Sequence, residues 1–349
     1  MVEEVNIGII GGSGYTGMEL VNILGRHKHA VIKFITSRSS DGKKVNDIQP
    51  SLQNSRFGDL VFKAVPEGDD YRGIDILFLC LPPQGSMDYV KKMGGKTGFR
   101  IIDIGSDFRL KDPGAYLKWY GVKHTMPGLL KDFTYAIPEL NKDDIKKATH
   151  IANPGCYPTS VLLALAPVLK SGYGVDDIVI DSKSGVSGAG KKLKEMYMFG
   201  SLDNNFYAYS TSGHRHIGEM EQEIEKMAGR ILKIDFTPHL LPVTRGIFST
   251  IYCKIIDPPK QDMEESMAGI YQNFYKGSLF VRFTGSSVPE IRHTAGTNMC
   301  MIGLKYVGRT GTLKIFSALD NLVKGAAGQA VQNMNLLMGF DEGEGLVYS

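Results

Sequence analysis

The chain has 349 residues, 42% of them hydrophobic and 22% charged, and its formal net charge is +3. These are ordinary values for a globular protein, and the length predicts two domains. The small net charge argues against a nucleic-acid or membrane partner. The most continuous apolar run, at 76–81, is too short to span a bilayer, and residues 1–6 do not resemble a signal peptide.

The first part of the chain alternates strand-like and helix-like segments. An apolar run at 5–10 predicts a buried parallel strand, and residues 18–24 repeat apolar positions at helical spacing. Further strands are predicted at 31–36, 74–81 and 100–104. This alternation predicts a doubly wound, Rossmann-type parallel sheet over residues 1–152.

The pattern changes after Pro154, where residues 158–169 predict a helix. Helices are also predicted near 219–231 and 261–275, and β-rich runs at 177–183, 244–256, 279–284 and 297–307. We therefore expect an α+β, largely antiparallel second domain over 153–318. A last apolar-faced helix at 319–337 is expected to return to the first domain, which residues 319–349 would join.

A glycine-rich turn lies between the first predicted strand and helix. Gly12, Gly14 and Gly17 have the GxGxxG spacing that lets a backbone approach a pyrophosphate at a helix N-terminus. The candidate cofactor residues here are Gly12, Ser13, Gly14, Tyr15, Thr16 and Gly17. The motif alone is a weak signal, so a turn that binds nothing is the alternative.

The end of the second predicted strand indicates which dinucleotide binds. NAD sites usually have an acidic residue there, about 20 residues after the glycines, but this chain has none until Asp41. Ser37 and Arg38 suit a 2′-phosphate instead, which favours NADP(H). The alternative is that Arg38 is a solvated loop residue.

Four cysteines (Cys80, Cys156, Cys253 and Cys300) lie far apart, with neither a CxxC pair nor metal-ligand spacing. We expect free thiols in a reducing, cytoplasmic protein, and no metal site. Cys156 differs from the others because it precedes a predicted helix, whose N-terminus favours a thiolate. Asn153 and nearby N–H groups are candidates for an oxyanion site.

His214 and His216 are the candidate acid–base partners of Cys156. Residues two apart share one face of an extended segment, so both imidazoles are expected to reach one site. A surface histidine pair and a partial metal site are the alternatives, although no third ligand cluster is present.

Several motifs together closely resemble those of the N-acetyl-gamma-glutamyl-phosphate reductase family of arginine biosynthesis, and the resemblance covers essentially the whole chain. The segments that carry it are Gly-Gly-Ser-Gly-Tyr-Thr-Gly (11–17), Ser-Asp-Phe-Arg-Leu (106–110), Asn-Pro-Gly-Cys-Tyr-Pro-Thr (153–159), Ser-Gly-Val-Ser-Gly-Ala-Gly (184–190), His-Arg-His (214–216), Pro-Val-Thr-Arg-Gly (242–246) and Asp-Asn-Leu-Val-Lys-Gly (320–325).

The resemblance implies a glyceraldehyde-phosphate-dehydrogenase-like fold, NADPH as reductant, a Cys156 thioester and a homo-oligomer, commonly a tetramer. It implies catalytic or substrate-contact roles for His214 and His216, and a cofactor-binding role for Ser187, Gly188 and Asn321. The small, anionic acyl-phosphate substrate needs cationic partners. The candidate substrate residues are Asn153, Arg109, Arg215 and Arg245, with Lys191 and Lys192 as further cations. The alternative for each cation is that it is a solvated surface residue.

Two alternative functions remain. One is the related reductase of a carrier-bound aminoadipyl phosphate in lysine biosynthesis, whose cysteine segment reads more like Gly-Ala-Gly-Cys-Asn-Ala-Thr. The other is a catalytically silent NADP-binding protein that has kept the fold. The intact cysteine and His-Arg-His segments argue against the silent protein, because binding NADP requires neither.

Overall fold

The computed structural model describes residues 4–64, 71–95, 98–191, 194–256, 258 and 262–347. The chain divides into two compact units. Unit 1 comprises Met1–Pro154 and Ala326–Ser349, and unit 2 is Gly155–Gly325. None of the helices in the described ranges is long and apolar enough to cross a membrane.

Unit 1 is built on a seven-stranded sheet in which every neighbouring pair is parallel. Its strands are β1 (Val5–Ile10), β2 (Ala30–Thr36), β3 (Phe62–Lys63), β4 (Ile76–Leu79), β5 (Arg100–Asp103), β6 (Phe133–Tyr135) and β7 (His150–Ala152). The spatial order is β3-β2-β1-β4-β5-β7-β6. Winding reverses between β1 and β4, and open α/β sheets bind ligands at such a point. The predicted doubly wound parallel sheet is confirmed.

The helices of unit 1 before residue 154 are α1 (Tyr15–Leu24), α2 (Val45–Ile48), α3 (Gly85–Lys92), α4 (Pro113–Tyr120) and α5 (Pro138–Lys146). Aromatic side chains form part of the core: Phe108 stacks on Phe133 with ring centroids 3.9 Å apart. Asp107 accepts hydrogen bonds from the buried Tyr116 hydroxyl (2.8 Å) and from the Ser86 N–H (3.0 Å) at the start of α3. The Ser-Asp-Phe-Arg segment therefore fixes packing within unit 1.

Unit 2 contains a mixed seven-stranded sheet in the order β12-β13-β14-β11-β8-β10-β9, with four antiparallel and two parallel pairs. Its strands are β8 (Gly174–Gly185), β9 (Tyr207–Ala208), β10 (Ile234–Leu241), β11 (Ile247–Ile256), β12 (Val281–Phe283), β13 (Cys300–Val307) and β14 (Thr312–Leu319). Its helices are α6 (Cys156–Leu169), α7 (Phe199–Leu202), α8 (His216–Ala228) and α9 (Met263–Phe274). The largely antiparallel second sheet is thus confirmed.

Helix α6 is buried almost all round, as its apolar sequence predicts. Its few polar atoms are paired. Ser160 Oγ lies 2.9 Å from Ser249 Oγ and donates to Ser317 Oγ at 3.0 Å, which joins the helix to two strands. The Tyr271 hydroxyl of α9 donates to the Ala164 carbonyl at 2.6 Å. These bonds hold α6 in one position on the sheet.

The C-terminal region corrects one prediction. The helix expected at 319–337 begins too early, because Leu319 is the last residue of β14 and pairs with Ile247 and Cys300. A π-helical turn, Val323–Ala327, follows, and the α-helix α10 is Gly328–Met338. The boundary between unit 2 and the last segment of unit 1 falls within the π-turn. The other boundary lies between Pro154 and Gly155, so Asn153, which was assigned above to the second domain, lies in unit 1.

Candidate active site

The glycine-rich turn joins β1 to α1 in unit 1. Tyr15 and Thr16 are the first residues of the helix, and its N-cap is Gly14, which has no side chain to cap the helix. A β-carbon on Gly17 would lie 2.5 Å from the Gly12 carbonyl oxygen, so this glycine allows close packing of helix on turn. A β-carbon on Gly14 would meet nothing nearer than 3.9 Å, which leaves that backbone accessible. The turn therefore fits a dinucleotide pyrophosphate.

The end of β2 is tied to this turn through two hydroxyl groups. Ser37 Oγ lies 2.7 Å from Ser13 Oγ and accepts a hydrogen bond from the Ser40 N–H at 3.1 Å. The next residue, Arg38, is exposed, so its guanidinium is accessible to a ligand. A hydroxyl pair beside an accessible arginine, with no carboxylate before Asp41, suits a ribose 2′-phosphate.

Cys156 is the first residue of α6 and is partly exposed. Its N-terminal neighbour Gly155 has an extended backbone and serves as the N-cap. The other cysteines differ: burial raises the pKa of Cys80, helped by the nearby Asp103, and of Cys253, to about 12, and Cys300 is buried. All four are free thiols. Cys80 is partly exposed as well, so it is the position at the start of a helix that distinguishes Cys156 as the candidate nucleophile.

Glu219 is a site residue that the sequence reasoning missed. It lies in the first turn of α8, its side chain is 1% exposed, and its Oε1 accepts the Gly155 N–H at 2.7 Å. A buried carboxylate thus bonds to the residue next to Cys156. The available signal was its position, three residues after His216, which places both on one face of a helix.

His214 and His216 lie together, with ring centroids 4.7 Å apart. The expectation of an extended segment is wrong, since Arg215 has helical torsions and His216 begins α8. A local bond holds the pair: the His216 N–H donates to His214 Nδ1 at 3.2 Å. The ring centroid of Tyr157, the residue after Cys156, lies 5.7 Å from that of His214 and 5.9 Å from that of His216. Both imidazoles therefore pack near the start of α6.

The surroundings of His214 set its protonation. Burial, aided by the Arg215 charge, lowers the pKa of His214 to about 4. Burial also raises the pKa of Tyr157 and of Tyr209, whose hydroxyl oxygens lie 3.0 Å apart. Near neutral pH, His214 is therefore a neutral imidazole surrounded by un-ionised phenols. In the described part of the chain, no group of three His, Cys, Asp or Glu side chains is placed to hold a metal ion.

The cationic candidates have different surroundings. Arg245 Nη1 donates to the buried Asp320 carboxylate at 3.2 Å, while Arg215 and Lys191 are exposed. Lys192 lies outside the described residues. In unit 1, Arg109 is buried and donates to the carbonyls of Asn153 and Ile104, at 2.8 and 3.0 Å.

Asn153 is also held by its neighbours in unit 1. Its Nδ2 donates to the Ala326 carbonyl at 3.1 Å, and its Oδ1 accepts from Asn333 Nδ2 at 3.0 Å. The Asn153 amide therefore serves the packing of unit 1, as the Arg109 guanidinium does.

Asn321 connects three segments of unit 2. Its Nδ2 donates to Ser187 Oγ at 2.9 Å, and its Oδ1 accepts the Gly246 N–H at 2.7 Å. Beside it, a β-carbon on Gly188 would lie 3.1 Å from Ser184 Oγ and 3.7 Å from Asn321 Nδ2. The three residues predicted from the resemblance to bind cofactor thus form one cluster.

Two family models together match most of the chain. The semialdehyde dehydrogenase NAD binding domain matches residues 6–148, and the semialdehyde dehydrogenase dimerisation domain matches residues 156–321. Proteins named N-acetyl-gamma-glutamyl-phosphate reductase from Pelotomaculum thermopropionicum and Alkaliphilus metalliredigens are each 45% identical to this chain over 344 residues. The alignments cover 98% of this chain and 97% and 98% of those proteins.

This chain belongs to the N-acetyl-gamma-glutamyl-phosphate reductase family. The resemblance found in its motifs is thereby confirmed. A family member from Methanococcus maripaludis is 43% identical over 343 residues, which cover 97% of each chain.

Solved structures support the fold. Aspartate semialdehyde dehydrogenase II from Vibrio cholerae has a TM-score of 0.73 and 19% identity, covering 96% of this chain and 99% of that one. Aspartate semialdehyde dehydrogenase with NADP from Candida albicans has a TM-score of 0.72 and 16% identity, covering 96% and 98%. The reductase family therefore shares its fold with these dehydrogenases, as expected.

Proposed function

We propose that this chain reduces N-acetyl-gamma-glutamyl phosphate to N-acetylglutamate 5-semialdehyde and phosphate in arginine biosynthesis, with NADPH as reductant. The observation that carries the proposal is the placement of Cys156 as the first residue of α6, next to the tyrosine that contacts both imidazoles. Relatives named N-acetyl-gamma-glutamyl-phosphate reductase, at 43–45% identity, support this substrate over the aminoadipyl alternative.

Cys156 is the proposed nucleophile. The positive end of a helix stabilises negative charge, so the first position of α6 favours the attacking thiolate. Attack by Sγ on the acyl carbon forms the S–C bond of a thioester, and the carbon–oxygen bond to phosphate breaks. Bound NADPH supplies the hydride that reduces the thioester carbon. The histidines donate a proton to the resulting oxygen and later withdraw it. When the proton is withdrawn, the S–C bond breaks, which releases the aldehyde and restores the thiolate.

The two histidines have different proposed roles. His214 is neutral near pH 7 because of its lowered pKa, and its Nδ1 accepts the His216 N–H. Its hydrogen therefore lies on Nε2, which donates a hydrogen bond to the substrate oxygen. His216 is then the proposed acid and base for that oxygen, because too small a fraction of His214 is protonated near neutral pH.

Arginines supply the proposed contacts to the substrate anions. Arg245 is oriented by the Asp320 carboxylate, and a held guanidinium binds an anion with little loss of side-chain freedom. Arg215 is exposed next to both histidines and is the second candidate. The bonds of Arg109 and Asn153 instead support a role in holding the segment that leads to Cys156, and their direct contact with substrate stays a prediction.

NADP(H) is the proposed cofactor, held by residues 12–17 with Ser37 and Arg38 at the 2′-phosphate. The family model describes this part of the chain as an NAD binding domain, and the accessible Arg38 favours the phosphorylated form. Ser187, Gly188 and Asn321 remain proposed cofactor contacts. We further propose a cytoplasmic homotetramer. The match to a dimerisation domain supports self-association, and the four free cysteines support a reducing compartment.

The reverse reaction tests the proposal. Wild-type protein should reduce NADP only when both N-acetylglutamate semialdehyde and phosphate are present. Cys156→Ala should abolish this activity, and Cys80→Ala, which removes a thiol of high pKa elsewhere, should retain it. Phosphate-dependent activity surviving in Cys156→Ala would refute the thioester mechanism. Wild-type activity with only the aminoadipyl substrate would refute the substrate assignment, and a protein that binds NADP without either activity would be the silent alternative.

A further inference from the structure

The segment after β14 contains a glycine whose backbone does not require one. Gly325 lies in the π-turn, and its N–H donates to the Asp320 carbonyl at 2.9 Å, five residues back. It is absent from the glycines with positive φ. Single π-helical turns are rare, and they often occur at functional sites. The reason for glycine at this position must therefore be packing.

The neighbour that requires a glycine here is Cys156. A β-carbon on residue 325 would lie 2.8 Å from Cys156 Cβ and 3.2 Å from Cys156 Cα, both within unit 2. Carbon atoms normally approach to about 3.5–4.0 Å. The first residue of α6 therefore packs against bare backbone of the π-turn, and a side chain at 325 would push the two apart.

The π-turn is anchored on its other side, so it cannot yield easily. Asp320 Oδ1 accepts the N–H groups of Leu322 and Val323 at 2.8 and 3.3 Å, and its Oδ2 accepts the Gly296 N–H at 2.7 Å. Asn321 is bound at both ends of its amide, as described above. A methyl group on residue 325 must therefore be accommodated in part by a displacement of Cys156, the first residue of α6.

We propose that Gly325 is a positioning residue for the thiol of Cys156, acting through close packing and touching no substrate. The proposal rests on the proposed role of Cys156 as nucleophile. Relief of the 2.8 Å contact requires a shift of about 0.7–1.2 Å. A misplacement of about 1 Å at a reacting group lowers the rate by up to about a hundredfold.

The test compares Gly325→Ala with Gly269→Ala. The control also adds one methyl group to a helical glycine of unit 2, but there the new β-carbon meets nothing within 4 Å. Gly325→Ala should lower kcat about 10- to 100-fold with the NADPH KM within twofold of wild type. Iodoacetamide should alkylate Cys156 more slowly in Gly325→Ala than in wild type. The pH at which the alkylation rate is half-maximal should also differ between the two proteins. Gly269→Ala should match wild type in kcat, in the NADPH KM, and in both the rate and the pH midpoint of Cys156 alkylation.

Unchanged alkylation and kcat in folded Gly325→Ala would overturn this inference alone, because Cys156→Ala reports on the nucleophile separately. Should Gly325→Ala not fold, the double variant with Cys156→Gly decides. Since Cys156→Gly removes the β-carbon at 2.8 Å, it should restore folding of the Gly325→Ala chain. Failure to fold in both backgrounds would overturn the proposal, since contact with Cys156 would then not be what requires glycine.

Discussion

A pH–rate profile separates the roles of the two histidines. Burial lowers the pKa of His214 to about 4, so at pH 7 about one His214 in a thousand carries a second proton. A reaction that needed His214 as the charged acid would speed up about tenfold for each pH unit between 7 and 5. The proposed roles predict no such rise in wild-type kcat for the reductive direction.

The substitutions His214→Gln and His216→Gln complete the test. His214→Gln should lower kcat because the amide donor of glutamine cannot occupy the position of the imidazole N–H. It should leave the shape of the pH profile unchanged, because His214 does not titrate between pH 5 and 7. His216→Gln should cost about 10²–10⁴-fold, the usual contribution of a positioned acid or base. A tenfold rise per pH unit in wild type that disappears in His214→Gln would refute the assignment.

Three further predictions concern other parts of the molecule. Arg38→Ala should raise the KM for NADPH about 10- to 100-fold and leave that for NADH unchanged, given the usual strength of a charge-assisted bond; equal effects on both cofactors would contradict the 2′-phosphate role. Glu219→Ala should lower the free energy of unfolding in urea by about 1–3 kcal/mol, because it leaves the buried Gly155 N–H without its acceptor, and Glu219→Gln should lose less; equal losses would contradict this reasoning. Burial lowers the pKa of His27, so the unfolded chain binds more protons than the folded chain, and stability falls as pH drops below about 6.5. The slope of melting temperature against pH between 6.5 and 5 should therefore be shallower in His27→Gln. An unchanged slope would contradict this role of His27.

The parallel sheet was predictable because buried parallel strands are continuous apolar runs, as in β1 and β4. Strand β10 was not predicted, since Pro238 and His239 interrupt its apolar pattern. Helix α10 was predicted to start too early for a different reason. Residues at the end of β14 continue the helical spacing of apolar residues, and only pairing with β11 and β13 determines that Leu319 belongs to a strand.

The candidate site was predicted in part. Local patterns identified the glycine-rich turn, Cys156 and both histidines, because each motif is contiguous in sequence. They did not identify Glu219, which meets Gly155 across 64 residues, or the approach of Gly325 to Cys156. Nor did they reveal that Arg109 donates to backbone carbonyls. Contacts between distant segments depend on packing, which sequence patterns do not encode.

The discontinuity of unit 1 has a consequence for biosynthesis. Unit 2 is one uninterrupted segment and has all its residues once residue 325 has been synthesised, but unit 1 then still lacks residues 326–349. Until α10 arrives, the Ala136 carbonyl and Asn153 Oδ1 lack the Asn333 amide that donates to them at 3.1 and 3.0 Å. Domains of a growing chain generally fold from the N-terminus first. Here the unit that begins first is completed last, so unit 1 cannot complete its packing until residues 326–349 are available to it.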